Sequence, residues 1–308
     1  MKIACITVYC NEAFRVSSWK QYFSEYKDAI TLHVIVNNGD KKETIFLRQS
    51  FPGSVVLESE GGNLMRAYNK GLSYVLQNTD IEAVMQITND VKFENGAIEK
   101  LYNFLFSDDK LAVVGPVLLK KDSLIVESYG IDYTGCNHFR GGRQFFPYKG
   151  KPLKDIREEV RQTTYVPAGT IMCKRDALVI MGYQDELLNM YCDERDMFIR
   201  LKKLGFYEAV TKNAVAWHQH QNRPGMSDRS LFAPFFSSRN GIYLIHKHAN
   251  CFWAWLEFFK VFIYESILVI YHLLKGELNN CKYDRAVIVG SYYGLRKNMI
   301  TFPNWLND

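Results

Sequence analysis

The sequence lacks the cysteine patterns that mark zinc sites and redox-active pairs. Its seven cysteines include no C-x-x-C pair and no Cys/His spacing of a zinc module. Their number is odd, and Cys5 and Cys173 lie in apolar runs typical of strands. We therefore interpret the cysteines as small hydrophobic side chains in a reducing compartment.

The N-terminal segment also lacks two further signals. MKIACITVYCN has no apolar run before a cleavage site, so we expect the cytoplasm as the location. The strand-like run is followed by Cys10-Asn11-Glu12-Ala13, without the glycines of a dinucleotide-binding turn. This excludes an oxidoreductase of that type. A sugar nucleotidyltransferase would need a basic glycine-rich loop at the same place, and that loop is missing too.

The composition is that of a folded protein. The chain has 308 residues, 47% hydrophobic and 23% charged, enough for one large α/β domain and a smaller appendage. Lys and Arg balance Asp and Glu up to residue 211, whereas they number 11 against 6 over residues 212–308. A basic region can attract phosphates, an anionic membrane or nucleic acid. The motifs below lead us to expect no nucleic acid.

Short β-branched runs alternate with helical patterns over the first 118 residues, which is typical of βαβ units and a largely parallel sheet. The predicted strands are 3–9, 32–36, 54–57, 83–88 and 111–118, followed later by 165–173 and 207–217. The predicted helices are 15–27, 41–49, 63–77, 95–106, 175–181 and 193–204. Ligands of such sheets bind beyond the carboxyl ends of the strands.

Polar residues follow these strands. Asn11 follows the first, Asn37 and Asn38 the second, and Asn89-Asp90 the fourth, in the motif ITND. A divalent cation bound with a nucleotide takes few protein carboxylates, because phosphate oxygens supply the other ligands. Asp90 in a surface turn is therefore a candidate metal ligand, although an Asx turn capping the next helix would explain it equally well.

The stretch DELLNMYCDERDMFIRLKKLGF is the second candidate for a functional site. Asp193, Glu194 and Asp196 fall in the first turn of a predicted helix, where the helix dipole favours anions, and Arg200 can pair back along it. Helix capping alone does not require three carboxylates in four residues. One of them can serve as a general base for a sugar hydroxyl.

Trp217-His218 ends the last predicted strand and is the third candidate. A histidine in this position is more often structural than a ligand. Here, however, a basic loop containing Arg223 follows it, and such a loop is suited to closing over a diphosphate.

Together these segments resemble the family 2 glycosyltransferases with the GT-A fold, particularly the bacterial rhamnosyltransferase-like branch. The resemblance covers roughly residues 3–245, and its elements occur in family order: ITVYCN, VIVNNGD, GGNLMRAYNKG, ITND, YVPAGTIMCKRDAL, the acidic stretch and FFSSRNGIYLI. Asn37 stands where the family usually has Asp, and Thr88 replaces the usual first acidic or amide residue of the metal triplet. The acidic pair occurs as Asp193-Glu194, with the two residue types swapped.

The resemblance implies an α/β fold of GT-A type with a helical C-terminal appendage. It implies an inverting, metal-dependent transfer from a dTDP- or UDP-linked sugar to a glycan or lipid-linked glycan during surface polysaccharide synthesis. Mg²⁺ or Mn²⁺ would bind Asp90 and His218. Glu194 or Asp193 would be the base, with Asp196 as the next candidate. The donor would contact Asn11, Asn37, Asn38, Asn69, Asn89, Arg200 and Arg223. An inactive sugar-nucleotide-binding subunit of an assembly complex is the alternative.

We expect the catalytic domain over 1–228 and a helical region over 229–308. Residues 252–275 are long enough to span a bilayer, but Glu257, Lys260 and Glu265 interrupt them. Central charges cost about 2.5–3.5 kcal/mol each on insertion, which disfavours spanning. The wide aromatic face suits a helix lying on the inner face of the cytoplasmic membrane, or one packed on its own domain or in a homodimer.

Overall fold

A computed structural model describes residues 1–134, 143–167, 169–219 and 231–307. These residues form two compact units. Unit 1 comprises 1–132, 144–186 and 197–221, and unit 2 comprises 133–143, 187–196 and 222–308. The domain boundary predicted at 228 lies outside the described residues.

Twelve strands occur in the described residues. They are β1 Ile3–Tyr9, β2 Leu32–Asn37, β3 Val55–Glu58, β4 Ala83–Ile87, β5 Val91–Phe93, β6 Leu111–Lys120, β7 Val126–Ser128, β8 Asp132–Thr134, β9 Arg143–Phe145, β10 Val160–Thr163, β11 Thr170–Lys174 and β12 Tyr207–His218. The helices are α1 Val16–Tyr26, α2 Glu43–Ser50, α3 Leu64–Leu76, α4 Ala97–Leu105, α5 Arg175–Met181, α6 Asp193–Lys203, α7 Phe232–His248, α8 Cys251–Leu274 and α9 Leu278–Leu295.

The main sheet has the order β10-β12-β6-β11-β4-β1-β2-β3, with β5 paired to β12 and β7 to β6. Strands β3, β2, β1 and β4 are parallel, and so are β6 and β12. Strand β11 runs antiparallel between β4 and β6. The carboxyl ends of β1, β2, β4 and β12 therefore share one edge of the sheet. That edge carries the polar residues singled out in the sequence.

Both faces of the sheet are buried, and the alternation of side chains along β1 shows why. Ile3 and Cys5 join the core that includes Leu101 of α4, whereas Ala4 and Ile6 join the core on the opposite face. Successive side chains of a strand point to opposite faces, so an uninterrupted apolar run is what a two-sided sheet requires.

Two strand predictions differ from the structure. The segment predicted as one strand over 165–173 is a strand only from Thr170, because the chain turns at Gly169, whose φ is +84°. The turn after β4 was expected to lead directly into a helix. Instead the short strand β5 intervenes and pairs with β12 from Val91↔His218 to Phe93↔Ala216. This pairing fixes His218 opposite the residue that follows Asp90.

Unit 2 contains the helices α7, α8 and α9. Phe235 and Phe236 of α7 pack on Ala286 of α9, and Ile242 and Ile245 pack near Leu295. The two helices approach so closely that a Cβ at Gly294 would lie 2.1 Å from the carbonyl oxygen of Arg239. Within the described ranges, the helices do not offer the combination of length and apolarity that crossing a membrane demands.

Candidate functional site

The turns after β1 and β2 are joined by hydrogen bonds. Asn11 adopts a left-handed backbone (φ 53°), and its Oδ1 accepts from the Asp40 amide at 2.7 Å. Asn37 donates from Nδ2 to the Asp40 carbonyl (2.9 Å) and to Thr44 Oγ1 (3.1 Å), while its Oδ1 accepts from the Gly39 amide (3.0 Å). An aspartate at position 37 could not donate either bond. Asn37 thus shapes the turn with all of its side-chain groups.

Asn38 differs from its neighbour. It is 7% exposed, and its backbone amide donates to the Tyr9 carbonyl at 2.7 Å. Its Oδ1 is buried and has no hydrogen-bond partner among the described residues. A buried acceptor without a partner carries a desolvation cost that a bound donor group would remove. Asn38 is therefore a better candidate for contact with a nucleotide than Asn11 or Asn37.

Asn89 and Asp90 form a polar cluster with residues from the end of β1. Arg15 donates from Nη1 to Glu12 Oε1 (3.3 Å), to Asn89 Oδ1 (3.4 Å) and to Asp90 Oδ2 (3.1 Å). Asn89 donates in turn to Glu12 Oε2 at 2.7 Å. The 3₁₀ turn Ala13–Arg15 after β1 brings the guanidinium to this edge. Asn89 thus has both ends of its amide occupied by protein groups.

His218 completes this cluster from the end of β12. Its Nε2 lies 3.5 Å from Asp90 Oδ2, and its Nδ1 lies 2.8 Å from Glu127 Oε1 on β7. Burial alone would raise the pKa of Asp90, but the hydrogen bonds and positive charge of His218, together with Thr88 and Arg15, lower it to about 2. Burial alone would lower the pKa of His218, but its bonds to both carboxylates raise it to about 9. At neutral pH the cluster therefore holds charged groups of both signs.

The sequence led us to expect Asp90 in an exposed surface turn, but the structure buries it. It is 8% exposed and paired with two cationic side chains. Arg15, Glu12 and Glu127 were not predicted from the sequence. The first two follow β1 at the same sheet edge as Asn11, and that position after a strand is the signal that points to them. Glu127 lies in an ordinary three-residue strand without any such signal.

The ligand atoms that the cluster offers suit a divalent cation. Asp90 offers a carboxylate that stays ionised, and His218 can add an imidazole nitrogen once it loses its proton. Among the described residues, no three His, Cys, Asp or Glu side chains form a metal-binding group. A cation that also binds a diphosphate needs only one or two protein carboxylates. Asp90 and His218 are therefore the residues that would hold it.

The acidic residues at the start of α6 are buried. Asp193 is 3% exposed and Glu194 is 7% exposed. Burial, and then the negative charge of Glu194, raises the pKa of Asp193 well above its ordinary value. Burial and the neighbouring carboxylate thus favour the protonated form of Asp193. This makes Glu194 the better candidate for accepting a proton.

Asp196 has a different environment from its two neighbours. It is fully buried, and its Oδ1 lies 2.8 Å from Lys247 Nζ and 2.7 Å from His248 Nε2, both at the end of α7. A buried carboxylate needs such partners, because an unpaired charge in the interior is costly. The pairing supports a structural role for Asp196.

The turn before α6 is held in an unusual backbone conformation. Asn189, Tyr191 and Cys192 have φ of 62°, 65° and 63°. Left-handed backbone costs a non-glycine residue roughly 1–2 kcal/mol. Asn240 of α7 offsets this cost, since its Nδ2 donates to the carbonyls of Leu188, Met190 and Tyr191.

Arg239 supports the same turn from the neighbouring position of α7. It is fully buried and donates to the carbonyls of Leu188 (3.1 Å) and Met299 (3.2 Å). The Arg-Asn pair in FFSSRNGIYLI thus positions the backbone that leads into the acidic residues.

Two residues predicted to bind the sugar donor make hydrogen bonds to the segment between α5 and α6, and those of Asn69 include one to Glu186 Oε1 at 3.1 Å. Asn69 Nδ2 donates to the Gln184 carbonyl at 2.9 Å, and its Oδ1 accepts from the Gln184 amide at 2.8 Å. Arg200 Nη1 donates to the carbonyls of Met181 (3.1 Å) and Tyr183 (3.0 Å). Both side chains organise the segment between α5 and α6. Arg223 lies outside the described residues.

No protein-family model matches this chain, and no curated protein matches its sequence. Solved structures do share its fold. A crystal structure of GalNAc-T7 with UDP, GalNAc and Mn²⁺ has a TM-score of 0.57 and 11% identity, covering 80% of this chain and 48% of that one. The mannosyltransferase PcManGT from Pyrobaculum calidifontis, in complex with GDP-Man and Mn²⁺, has a TM-score of 0.56 and 12% identity, covering 96% of this chain and 87% of that one.

The chain has the GT-A fold. The predicted fold class, a mostly parallel sheet flanked by helices with further helices towards the C-terminus, is thereby confirmed. This chain spans about half the length of GalNAc-T7. In the GT-A fold of this chain, the Asp90 cluster lies at the carboxyl edge of the sheet, where open α/β sheets bind their ligands.

Proposed function

We propose that this chain is a glycosyltransferase that uses a nucleotide-diphosphate sugar as donor. The observation that carries the proposal is the pairing of Asp90 with His218 at the carboxyl edge of the sheet, with Oδ2 and Nε2 3.5 Å apart. The two solved structures that share the fold contain UDP or GDP-Man together with Mn²⁺. Their likeness supports a nucleotide-sugar donor here.

The donor would occupy the edge formed by the turns after β1, β2 and β4. Asn38 offers a buried acceptor there, and Asn11 and Asn37 keep its turn in shape. Asp90 and His218 would hold a Mg²⁺ or Mn²⁺ ion. When bound, such an ion neutralises charge on the departing nucleoside diphosphate. Arg223, in the basic sequence after His218, is a further candidate for the diphosphate.

On the acceptor side we assign Glu194 as the general base and Asp193 as the second candidate. Glu194 takes the proton of the acceptor hydroxyl while that oxygen attacks the anomeric carbon. The bond from the anomeric carbon to the phosphate oxygen breaks, and its electron pair leaves with the nucleoside diphosphate. A single displacement of this kind inverts the anomeric configuration.

The finer assignments rest on the sequence resemblance. We propose a dTDP- or UDP-linked hexose, such as a rhamnosyl donor, and a glycan or lipid-linked glycan acceptor in surface polysaccharide synthesis. The swap to Asp193-Glu194 leaves the order of the two carboxylates different from that of the family it resembles. The raised pKa of Asp193 supports the assignment of Glu194 as the base.

A turnover assay with a set of UDP-, dTDP- and GDP-linked sugars and Mn²⁺ tests the function. We expect release of nucleoside diphosphate that depends on Mn²⁺ and rises with a glycan acceptor. Proton NMR of the product then gives the anomeric configuration, and a retained configuration would exclude the single displacement. Donor binding without any turnover across donors and acceptors would favour the alternative, an inactive sugar-nucleotide-binding subunit.

A further inference from the structure

Helix α8 exposes most of its large apolar side chains to solvent. Ten of them form what we call the α8 outer face: Phe252, Trp255, Leu256, Phe259, Phe262, Ile263, Ile267, Ile270, Leu273 and Leu274. Their exposed fractions range from 37% at Leu256 to 85% at Leu274. A surface helix of a water-soluble domain normally turns such residues inward. A continuous exposed face of this kind marks a site of interaction.

Two ionisable side chains of α8 face the protein instead. His272 Nδ1 lies 2.7 Å from Asp284 Oδ2 on α9, and Asp284 is 4% exposed. Glu265 lies on the same side, and burial raises its pKa to about 7. Ionisable groups thus share the inner side of α8 with apolar side chains such as Ala254 and Phe258, while the ten large apolar side chains of the outer face meet solvent. Exposing that much apolar surface to water is unfavourable.

The outer face is long and wide. At 100° per residue its ten side chains fall within about 140°, and Ser266 is the one other residue of that sector. The 24 residues of α8 correspond to about 36 Å of helix. A two-helix seam uses a narrower stripe. The width thus favours a broad apolar environment over a single partner helix.

Amphipathic and basic side chains line one border of this face. Tyr264 and Tyr271 lie there with Lys260 and Lys275, and Lys275 Nζ is 4.5 Å from the centre of the Tyr271 ring. Tyrosines and lysines bury their apolar parts and keep their polar ends in water. Over residues 231–307, eight Lys and Arg stand against four Asp and Glu. An anionic surface is the complementary partner.

We propose that the α8 outer face docks on the surface of an anionic lipid bilayer, with its aromatic rings in the headgroup region and Lys260 and Lys275 beside the lipid phosphates. Helices of this composition lie in the membrane plane and bury their apolar face by about 5–10 Å. Lipid-linked acceptors would then reach the enzyme from the same surface. The docking itself does not depend on the proposed transferase activity, because lipid binding is measured without a sugar donor.

Flotation of the full chain with vesicles tests the proposal. We expect binding to phosphatidylcholine vesicles that contain phosphatidylglycerol, and weaker binding to phosphatidylcholine alone. Salt should reduce the difference, because exposed charges are screened over about 10 Å at 0.1 M. The Trp255 side chain is 47% exposed, so its environment should change on binding and shift the tryptophan emission to the blue.

Paired variants separate the face from general surface hydrophobicity. Ile263→Glu with Ile267→Glu should lower vesicle binding at least about tenfold, since each buried isoleucine contributes strongly to partitioning. Ile45→Glu with Ile180→Glu is the matched control, because those isoleucines are equally exposed (65% and 60%) but lie elsewhere. Lys260→Gln with Lys275→Gln should weaken binding to anionic vesicles by about fivefold per residue.

Three outcomes would overturn the proposal. One is a wild-type chain that does not bind anionic vesicles at low salt. Another is a control pair that loses binding as fully as the α8 pair. The third is a dimer that does not bind vesicles and that the α8 pair dissociates, as measured by light scattering. That third result would assign the face to another copy of the chain.

Discussion

The side-chain amide of Asn240 donates to the carbonyl oxygen of Tyr191 at 2.8 Å, and to two further carbonyls of the same turn. The turn leads directly into Asp193 and Glu194. One side chain of α7 therefore fixes the backbone on which the proposed base stands.

Asn240→Asp should destabilise the protein by about 2 kcal/mol or more. The substitution keeps the shape but replaces a donor by an oxygen. The carbonyls of Met190 and Tyr191 therefore lose this donor, whereas that of Leu188 keeps Arg239. Urea unfolding measures the change. The control is Asn279→Asp, because Asn279 is exposed on α9. Equal effects of the two substitutions would show that the turn does not need Asn240.

Asp90→Asn should abolish Mn²⁺-dependent binding of a nucleoside diphosphate. The substitution preserves the shape of the buried side chain and removes the charge that a cation requires. Titration calorimetry with UDP, TDP and GDP, with and without Mn²⁺, measures the effect. Asp80→Asn, at an exposed position, serves as the control. If Asp90→Asn binds as tightly as wild type in the presence of Mn²⁺, the metal assignment fails.

Glu194→Gln should lower kcat by about 10²–10⁴-fold, the usual cost of removing a positioned base. Asp193→Asn should cost less, because burial and the neighbouring carboxylate favour the uncharged form of Asp193, which asparagine resembles. Donor affinity should be unchanged in both variants. A larger loss in Asp193→Asn than in Glu194→Gln would reverse the assignment of the base.

Asp196→Asn should reduce stability rather than donor binding. It removes the buried charge that faces Lys247 and His248, and breaking a buried pair from one side costs about 3–5 kcal/mol. Asp176→Asn is the matched control, since Asp176 also lies in the first turn of a helix but its side chain is 90% exposed. A variant with wild-type melting temperature and no turnover would instead give Asp196 a catalytic role.

Glu208→Gln should stabilise the protein at alkaline pH. Burial raises the pKa of Glu208, on β12, from 4.5 to about 8. The Glu208 carboxyl therefore ionises at lower pH in the unfolded chain than in the folded one. As a result, it lowers the free energy of unfolding increasingly between pH 4.5 and 8. At its steepest the loss is about 1.4 kcal/mol per pH unit.

The pH dependence of unfolding checks this effect of Glu208. The curve of Glu208→Gln should be flatter than that of wild type across the same interval, and the two should converge at pH 4. Glu99→Gln, at an exposed site of α4, should leave the wild-type slope unchanged. Parallel curves for wild type and Glu208→Gln would contradict the shift.

Much of the fold could be predicted because its signals are local. The apolar run of β1 and the helix over 175–181 were predicted with the bounds that the structure shows. Strand β5 was missed because three residues carry little periodicity, and its existence depends on pairing with β12.

The polar residues at the carboxyl edge of the sheet were predictable for a different reason. They follow strand ends, and parallel strands bring their carboxyl ends to one edge. Their contacts were not predictable from the sequence. Arg15, Asp90 and His218 come together because of the order of the strands in the sheet. Asp196 is buried because α7 ends beside it.

The contact between Asn11 and Gly39 limits how this edge of the molecule can change. A Cβ at position 39 would lie 2.1 Å from Asn11 Oδ1, so any side chain there displaces Asn11 and releases the Asp40 amide. Replacing Asn11 alone would not free position 39, because a Cβ there would still lie 2.8 Å from the Asn11 backbone nitrogen. The constraint therefore runs in one direction. Across related sequences, glycine should persist at position 39 even where position 11 varies.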